Sequence, residues 1–203
     1  MNYNLRGKES TGDRDFVKHL ATKHSLPFHV LNVSKTKVKK DEATLRALRY
    51  AFFSKVLRKE KADAVVLGHH RDDQAETFLL RLLRGSGAVG LQAMQPKRDH
   101  YIRPFLFVTR AEIYTYLKSK KVSFRTDSSN ADSRYLRNKI RHELIPLLAK
   151  EYQPQIVNIL ADTATRLSEA PVDTATIHSV ALIENKGSLT FSLEQLLSLP
   201  ITT

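Results

Sequence analysis

Ala64-Val65-Val66-Leu67-Gly68-His69-His70-Arg71-Asp72-Asp73-Gln74-Ala75-Glu76-Thr77-Phe78-Leu79-Leu80-Arg81-Leu82-Leu83-Arg84-Gly85-Ser86-Gly87 is the stretch whose reading decides the fold. Ala64 to Leu67 is a short apolar run that reads as a strand, and its unbroken apolar character predicts burial on both faces, as in a parallel sheet. Gly68 closes it. From Asp72 to Arg84 apolar residues recur at helical spacing, which predicts an amphipathic helix. His69, His70, Asp72 and Asp73 therefore fall where strand gives way to helix. Open α/β sheets hold their ligands at that position.

Working outward, the upstream sequence predicts a helix capped by Thr11 with Phe16, Val17, Leu20 and Ala21 on one face. A strand follows over Pro27 and Phe28 to Val33, then a basic loop with Lys35, Lys37, Lys39 and Lys40. A second helix, capped by Asp41, carries the stripe Leu45, Leu48, Phe52 and Val56. Downstream, Tyr101 to Leu106 reads as extended. Thr109 caps a helix with Ile113, Tyr116 and Leu117 on one side, and a polar loop spans Thr126 to Ser133. A strongly basic helix sets Arg134, Arg137, Lys139 and Arg141 among Leu136, Ile140, Leu144 and Leu147. Pro154 begins a helix over Gln155 to Leu167, which Pro171 ends. Ser188 to Phe191 is strand-like, and Ser192-Leu193-Glu194-Gln195 resembles a capping box. The alternation is βαβ in rhythm. Only the stub Met1 to Asn4 precedes the first helix, so the sheet is expected to lack its opening strand.

Composition narrows the function classes. A formal net charge of +12, from 33 Lys and Arg against 21 Asp and Glu, points to nucleic acid, an acidic membrane face or polyphosphate. A solvated basic surface is the plainer explanation. The chain has no Cys, which excludes disulfides and thiolate metal sites. No apolar stretch approaches the ~20 residues of a membrane span, and Met1-Asn2-Tyr3-Asn4-Leu5-Arg6 lacks the apolar core of a signal peptide. A cytoplasmic protein without a membrane partner is expected.

The motifs separate into those that carry chemistry and those that do not. His69-His70-x-Asp72-Asp73 contains metal-binding residue types, but neighbours on one turn cannot all face one ion, and no protein-held metal is expected. A helix N-terminus arranging these groups around a nucleotide and its Mg²⁺ fits better. Asp72 and Asp73 also suit a helix start simply as caps and dipole partners. Gly85-Ser86-Gly87-Ala88-Val89-Gly90 is a literal G-x-G-x-x-G, yet it follows a helix instead of a strand, so Gly85 is expected as a C-terminal cap. His142-Glu143 begins like H-E-x-x-H, but Pro146 replaces the second His. No G-x-x-x-x-G-K-[ST] occurs. Arg137 and Arg141 lie one helical turn apart and can grip phosphate through paired hydrogen bonds; ion pairs with Asp132 and Glu143 are the alternative. Arg46 and Arg49 are three apart on the second helix, where an exposed basic face is equally consistent.

Four blocks together resemble a known family: Asn4-Leu5-Arg6-Gly7-Lys8-Glu9-Ser10; Leu45-Arg46-Ala47-Leu48-Arg49-Tyr50; Gly68 through Gly87; and Arg103-Pro104 to Thr109-Arg110, continuing to Asp127-x-x-Asn130 and Leu136-Arg137-Asn138-Lys139-Ile140-Arg141-His142-Glu143-Leu144. Their order and spacing resemble the tRNA(Ile)-lysidine synthetase family of the PP-loop ATP pyrophosphatase superfamily. The resemblance implies an α/β fold, a parallel-sheet PP-loop (adenine nucleotide alpha hydrolase-like) domain missing its first strand and followed by a helical segment. Residues 1–150 would form the catalytic domain, incomplete at its N-terminus, and 151–203 part of a helical substrate- or tRNA-binding domain.

The implied reaction uses ATP to adenylate the oxygen at C2 of the wobble cytidine in a CAU anticodon of tRNA(Ile). The side-chain amine of free lysine then displaces AMP. By the same resemblance Asp73, Arg46, Arg49, Arg137 and Arg141 are candidate catalytic residues. His69, His70 and Asp72 are candidate nucleotide contacts, with ATP and Mg²⁺ as cofactors. Asp72 or Asp73 would hold lysine or Mg²⁺, Asp73 being favoured. The family's S-G-G-x-D-S loop is absent from these residues, so a chain trimmed at both ends with impaired catalysis is expected. A homodimer is one assembly the sequence leaves open. The other readings are a non-catalytic RNA-binding remnant and a second PP-loop tRNA-modifying enzyme such as a thiolase, which the absence of Cys disfavours.

Overall fold

The computed structural model describes residues 7–33, 42–126, 136–169, 183–185 and 188–190. The expected basic loop over Lys35 to Lys40, the Asp41 cap, the polar loop after Thr126, the Pro171 stop and the capping box from Ser192 lie outside those residues.

Helix α1, Lys8–Lys23, starts earlier than Thr11 predicts, with Gly7 as N-cap. Thr11 lies inside the first turn, where its hydroxyl donates to the Gly7 carbonyl at 3.3 Å. A threonine that bonds back four residues has spent its side chain on the helix it was expected to open. The strand expected over Phe28 to Val33 is not a ladder; only Asn32 makes a bridge. Helix α2, Glu42–Glu60, carries Leu45, Leu48, Phe52 and Val56 half-buried along one stripe, as its spacing predicts.

Strand β1 is Val65–Val66, followed by α3, Arg71–Leu82, and the short α4, Ala88–Leu91. Strands β2, Lys97–Arg98, and β3, Tyr101–Ile102, form a hairpin about Asp99 and His100, with Asp99 at φ 53°. An acidic side chain tolerates that left-handed conformation better than most. The sheet order is β1-β3-β2, with β1 parallel to β3 and β2 antiparallel to it. The fold is thus α/β with a parallel pair, as expected, and the hairpin makes the sheet mixed. Burial of β1 on both faces does not hold. Leu67 is buried but Val66 is 64% exposed, because alternate strand residues face opposite sides and only one side is covered.

Helix α5, Arg110–Ser119, opens on a capping box. Thr109 Oγ1 accepts from Glu112 N–H at 3.2 Å, and Glu112 Oε2 accepts from Thr109 N–H at 2.8 Å. Tyr114, not Tyr116, turns inward. Tyr116 is exposed, while Tyr114 stacks at 5.1 Å on Phe124 and receives the Arg110 guanidinium on its hydroxyl. The basic helix is α6, Leu136–Lys139, a π turn, Ile140–Leu144, and α7, Ile145–Glu151. Pro146 follows at once; its ring has no N–H and crowds the carbonyl four residues back, which a widened turn relieves. Helix α8 is Ile156–Glu169, and β4, Ile183–Asn185, pairs antiparallel with β5, Ser188–Thr190.

Helix α3 is the centre of this arrangement. It packs most extensively on α8, where Phe78 meets Ala164 and Ala93, with Leu91, Leu160 and Leu167 around them. Arg71 pairs with Asp162 of α8 at the start of this contact. Gln74 fixes the loop after α4 by donating to the Met94 carbonyl and accepting from Met94 N–H, both at 2.9 Å. Gly85, at φ 73°, ends the helix as expected. Its N–H bonds Leu82 O at 2.9 Å and Ser86 N–H bonds Arg81 O at 3.0 Å, the paired pattern of a Schellman cap.

Candidate active site

The site begins where β1 ends. Leu67 N–H donates to Ile102 O at 2.8 Å, which anchors the strand just before Gly68. A Cβ placed on Gly68 would meet nothing within 4 Å, so open space adjoins the turn. His70 is the N-cap of α3, and its backbone N–H donates to Asp73 Oδ2 at 3.1 Å. Three residues of helix therefore place His69, His70, Asp72 and Asp73 about one turn, as the sequence predicts.

Asp73 looks across to α6. Its Oδ1 accepts from Arg137 at 3.2 Å and from Arg141 at 3.0 Å. Glu76, one turn further along α3, accepts from Arg137 Nε at 2.8 Å and from Arg141 Nε and its terminal nitrogen at 2.5 and 2.9 Å. Two carboxylates three apart on one helix thus face two guanidinium groups four apart on another. The Glu76 side chain is 2% exposed, that of Arg141 18% and that of Arg137 30%, so the cluster opens to solvent on the Arg137 side. Burial opposes the charge on Arg141, but the hydrogen bonds and charge of Glu76, with the charge of Asp73, outweigh it and raise its pKa. The His–Asp turn and the arginine pair therefore meet at Asp73. Their partners on α3 include Asp73 and Glu76; the Asp132 of the plainer reading lies outside the described residues.

His69 is biased toward its neutral form. Burial lowers its pKa, Asp73 raises it, and the charges of Arg103, Arg137 and Arg46 lower it further. Its buried Nδ1 has no hydrogen-bond partner among the described residues. Asp72 is oriented differently from Asp73. Its Oδ2 accepts from the backbone N–H of Arg110 at 2.8 Å, and His70 Nδ1 stands 3.5 Å away. Burial pushes its pKa up, yet these two neighbours hold it below the usual carboxylate value. Asp72 so ties the start of α5 to the start of α3, and Arg71 N–H to Val108 O at 2.9 Å adds a second tie.

Arg46 lies on the exposed side of α2, 5.1 Å over the ring of Tyr50, which packs edge-on against Tyr101 of β3 at 4.9 Å. This brings its charge within reach of His69. Arg49 is exposed on the same helix. Sequence reasoning passed over two residues. Glu76 is the most buried charge of the site, and its spacing from Asp73, set against Arg137 and Arg141, was the available signal. Arg103 is also buried, with one guanidinium nitrogen on Gln95 O at 2.7 Å; a lone arginine before Pro104 gives no such spacing. A separate open cleft of about 500 Å³ lies among Arg71, Phe107, Thr109, Glu112, Asn158 and Asp162, but the Arg71–Asp162 pair and the capping box already engage its charges.

Among the described residues no group of three or more His, Asp or Glu is placed to hold a metal ion, and no helix is long and apolar enough to cross a membrane.

A model of the PP-loop domain matches residues 1–148. The tRNA(Ile)-lysidine synthase of Bacteroides thetaiotaomicron is 36% identical over 190 residues, which is 91% of this chain and 43% of that protein. The enzyme of the same name from Geobacter sulfurreducens is 43% identical over 176 residues, 83% of this chain and 37% of that protein. The chain thus spans less than half the length of these curated relatives. Among solved structures, the U34-tRNA thiolase NcsA from Methanococcus maripaludis, with its [4Fe-4S] cluster, superposes with a TM-score of 0.61 at 15% identity, over 80% of this chain and 58% of that one. At that identity the likeness is one of fold.

Proposed function

The chain belongs to the PP-loop family, and from that premise we propose that it carries the catalytic region of an ATP-dependent enzyme that ligates lysine to the wobble cytidine of tRNA(Ile). The supporting observation is the meeting of the β1–α3 turn with Arg137 and Arg141 beside open space at Gly68. The residues suit a nucleotide. His69 offers a ring that burial biases toward its neutral form, with a buried nitrogen unpartnered among the described residues, and the arginine forks match phosphate geometry. They do not suit a protein-held Mg²⁺, because Asp73 and Glu76 are committed to arginines and Asp72 to Arg110 and His70. Magnesium would arrive on the phosphate oxygens of ATP with its own waters.

In the proposed reaction the O2 oxygen of the cytosine attacks the α-phosphorus of ATP. A P–O bond to pyrophosphate breaks and pyrophosphate leaves. The lysine ammonium gives up a proton to water, the resulting neutral ε-amine attacks C2, the C2–O bond breaks, AMP departs and the amine nitrogen loses a second proton. Arg137 and Arg141 would stabilise the negative charge that grows on the leaving phosphates. Arg46 and Arg49, on the exposed side of α2, would meet phosphate from the solvent side. His69 and His70 would line the nucleotide pocket, and Asp73, once phosphate engages its arginine partners, would hold the lysine ammonium before attack. A net charge of +12 would track tRNA phosphates. The thiolase option is weaker, because iron–sulfur clusters are held by cysteine thiolates and this chain has no Cys.

The test is a melting experiment with ATP followed by an assay of AMP release. A rise in melting temperature with ATP, and slow AMP release that requires both tRNA(Ile) and lysine, are the expected results. Salt-sensitive tRNA binding with no effect of ATP on melting would replace this reading with a non-catalytic RNA-binding protein.

A further inference from the structure

The same cluster points to how binding at the site is ordered, an inference that rests on the nucleotide reading above. Asp73, Glu76, Arg137 and Arg141 close into one set of contacts between α3 and the segment of α6 and the π turn, and their formal charges cancel. Inside such a set no carboxylate is vacant for an incoming ammonium, and no guanidinium is idle. Phosphate presents the same paired oxygens as a carboxylate and therefore competes for the same forks. Arg137 is the more exposed arginine, and its contact with Asp73, at 3.2 Å, is the longest of the set. It is the member an anion from solvent reaches first. Once a polyphosphate draws the arginines away, Asp73 and Glu76 are left charged in a buried place, which is strongly unfavourable until another cation arrives. A primary ammonium supplies that charge in a compact form.

We propose that the Asp73–Glu76–Arg137–Arg141 cluster couples two ligands: a polyphosphate held by the arginines frees the carboxylates for a primary ammonium, so phosphate binding precedes and tightens amine binding. By linkage the ammonium must tighten phosphate binding by the same factor.

Calorimetric titration of the full chain with L-lysine, with and without saturating pyrophosphate, tests this. Pyrophosphate is expected to raise the affinity for lysine by about ten-fold, within the usual range of such couplings. Lysine should raise the affinity for pyrophosphate equally, and a lysine analogue with a hydroxyl in place of the ammonium should gain nothing. In Arg137→Gln, lysine should bind more tightly than to the unaltered chain when pyrophosphate is absent, and the gain on adding it should shrink. If pyrophosphate and lysine both bind with affinities indifferent to each other, or if pyrophosphate weakens lysine, the coupling is overturned and the nucleotide site stands. If neither pyrophosphate nor ATP binds, the nucleotide reading falls and the coupling with it. The unaltered chain decides between these outcomes even if the variant fails to fold.

Discussion

Helix α3 is held by unlike material on two sides. Toward α8 it presents Phe78, which meets Ala164 and Ala93 in a small apolar core. Toward α6 and the π turn it presents Asp73 and Glu76, which meet Arg137 and Arg141. Apolar burial stabilises by removing surface from water, whatever the solution contains. A buried ion-pair set must first lose the hydration of four charges, and the mutual attraction repays roughly that loss. A hydrophobic contact of equal size would hold α6 at least as well. The charged side is thus poor economy as scaffolding, and groups so arranged at a strand-to-helix turn are more often found at functional sites. The contrast also separates a contact that is fixed from one that solutes can rearrange.

Phe78→Ala is the largest expected break. Truncating a buried phenylalanine costs about 4 kcal/mol, counting lost burial and the cavity left behind. Urea denaturation should show this loss equally at low and high salt, and pyrophosphate should restore none of it. Glu76→Ala follows, at about 3 kcal/mol, because two guanidinium groups lose their most buried counter-charge. Here pyrophosphate should restore part of the melting temperature, since it substitutes for the missing carboxylate. Equal responses of the two variants to pyrophosphate would abolish the distinction between the two sides of α3.

Part of this contrast was legible in the sequence. The Gly68 break, the His–Asp turn, the Thr109 cap and the arginine spacing each carry a local signal of type and interval. The side chains that face the apolar core follow from helical period. Glu76 was missed because its meaning lies in the pairing with α6, which no local interval states. The β2–β3 hairpin was missed because two-residue strands of Lys97, Arg98, Tyr101 and Ile102 show no alternation long enough to read. Thr11 misled because a threonine serves as a cap or as a bond back into its own helix with equal ease, and Tyr114 and Tyr116 differ by two positions that only packing on Phe124 distinguishes.

The end of α3 sharpens the scale against which both sides are judged. Gly85 sits at φ 73°, and a Cβ there would meet no atom within 4 Å. Gly85→Ala therefore pays only for left-handed backbone, about 1 kcal/mol. Urea midpoints should place it well below both earlier variants, and it should not respond to salt or pyrophosphate. A cost comparable to Phe78→Ala would mean that the helix end, and not its two faces, secures α3.

The smallest effect is one of pH, and it belongs to the charged side alone. His69 has its pKa lowered in the folded protein by burial, against the pull of Asp73 and with the push of Arg103, Arg137 and Arg46. Below the ordinary histidine value of 6.5 the unfolded chain takes up a proton that the folded form still refuses. The unfolded state then binds more protons, so stability falls as pH drops through this window and is recovered above it. In His69→Gln that component should vanish, leaving a flatter dependence of the urea midpoint between neutral pH and the onset of carboxylate titration. Phe78→Ala, though far less stable, should keep the slope of the unaltered chain, because the residues packed on it, Ala93, Ala164, Leu91, Leu160 and Leu167, carry no titratable group. A slope lost in Phe78→Ala and kept in His69→Gln would place the proton linkage in the apolar core and leave the neutral imidazole without consequence.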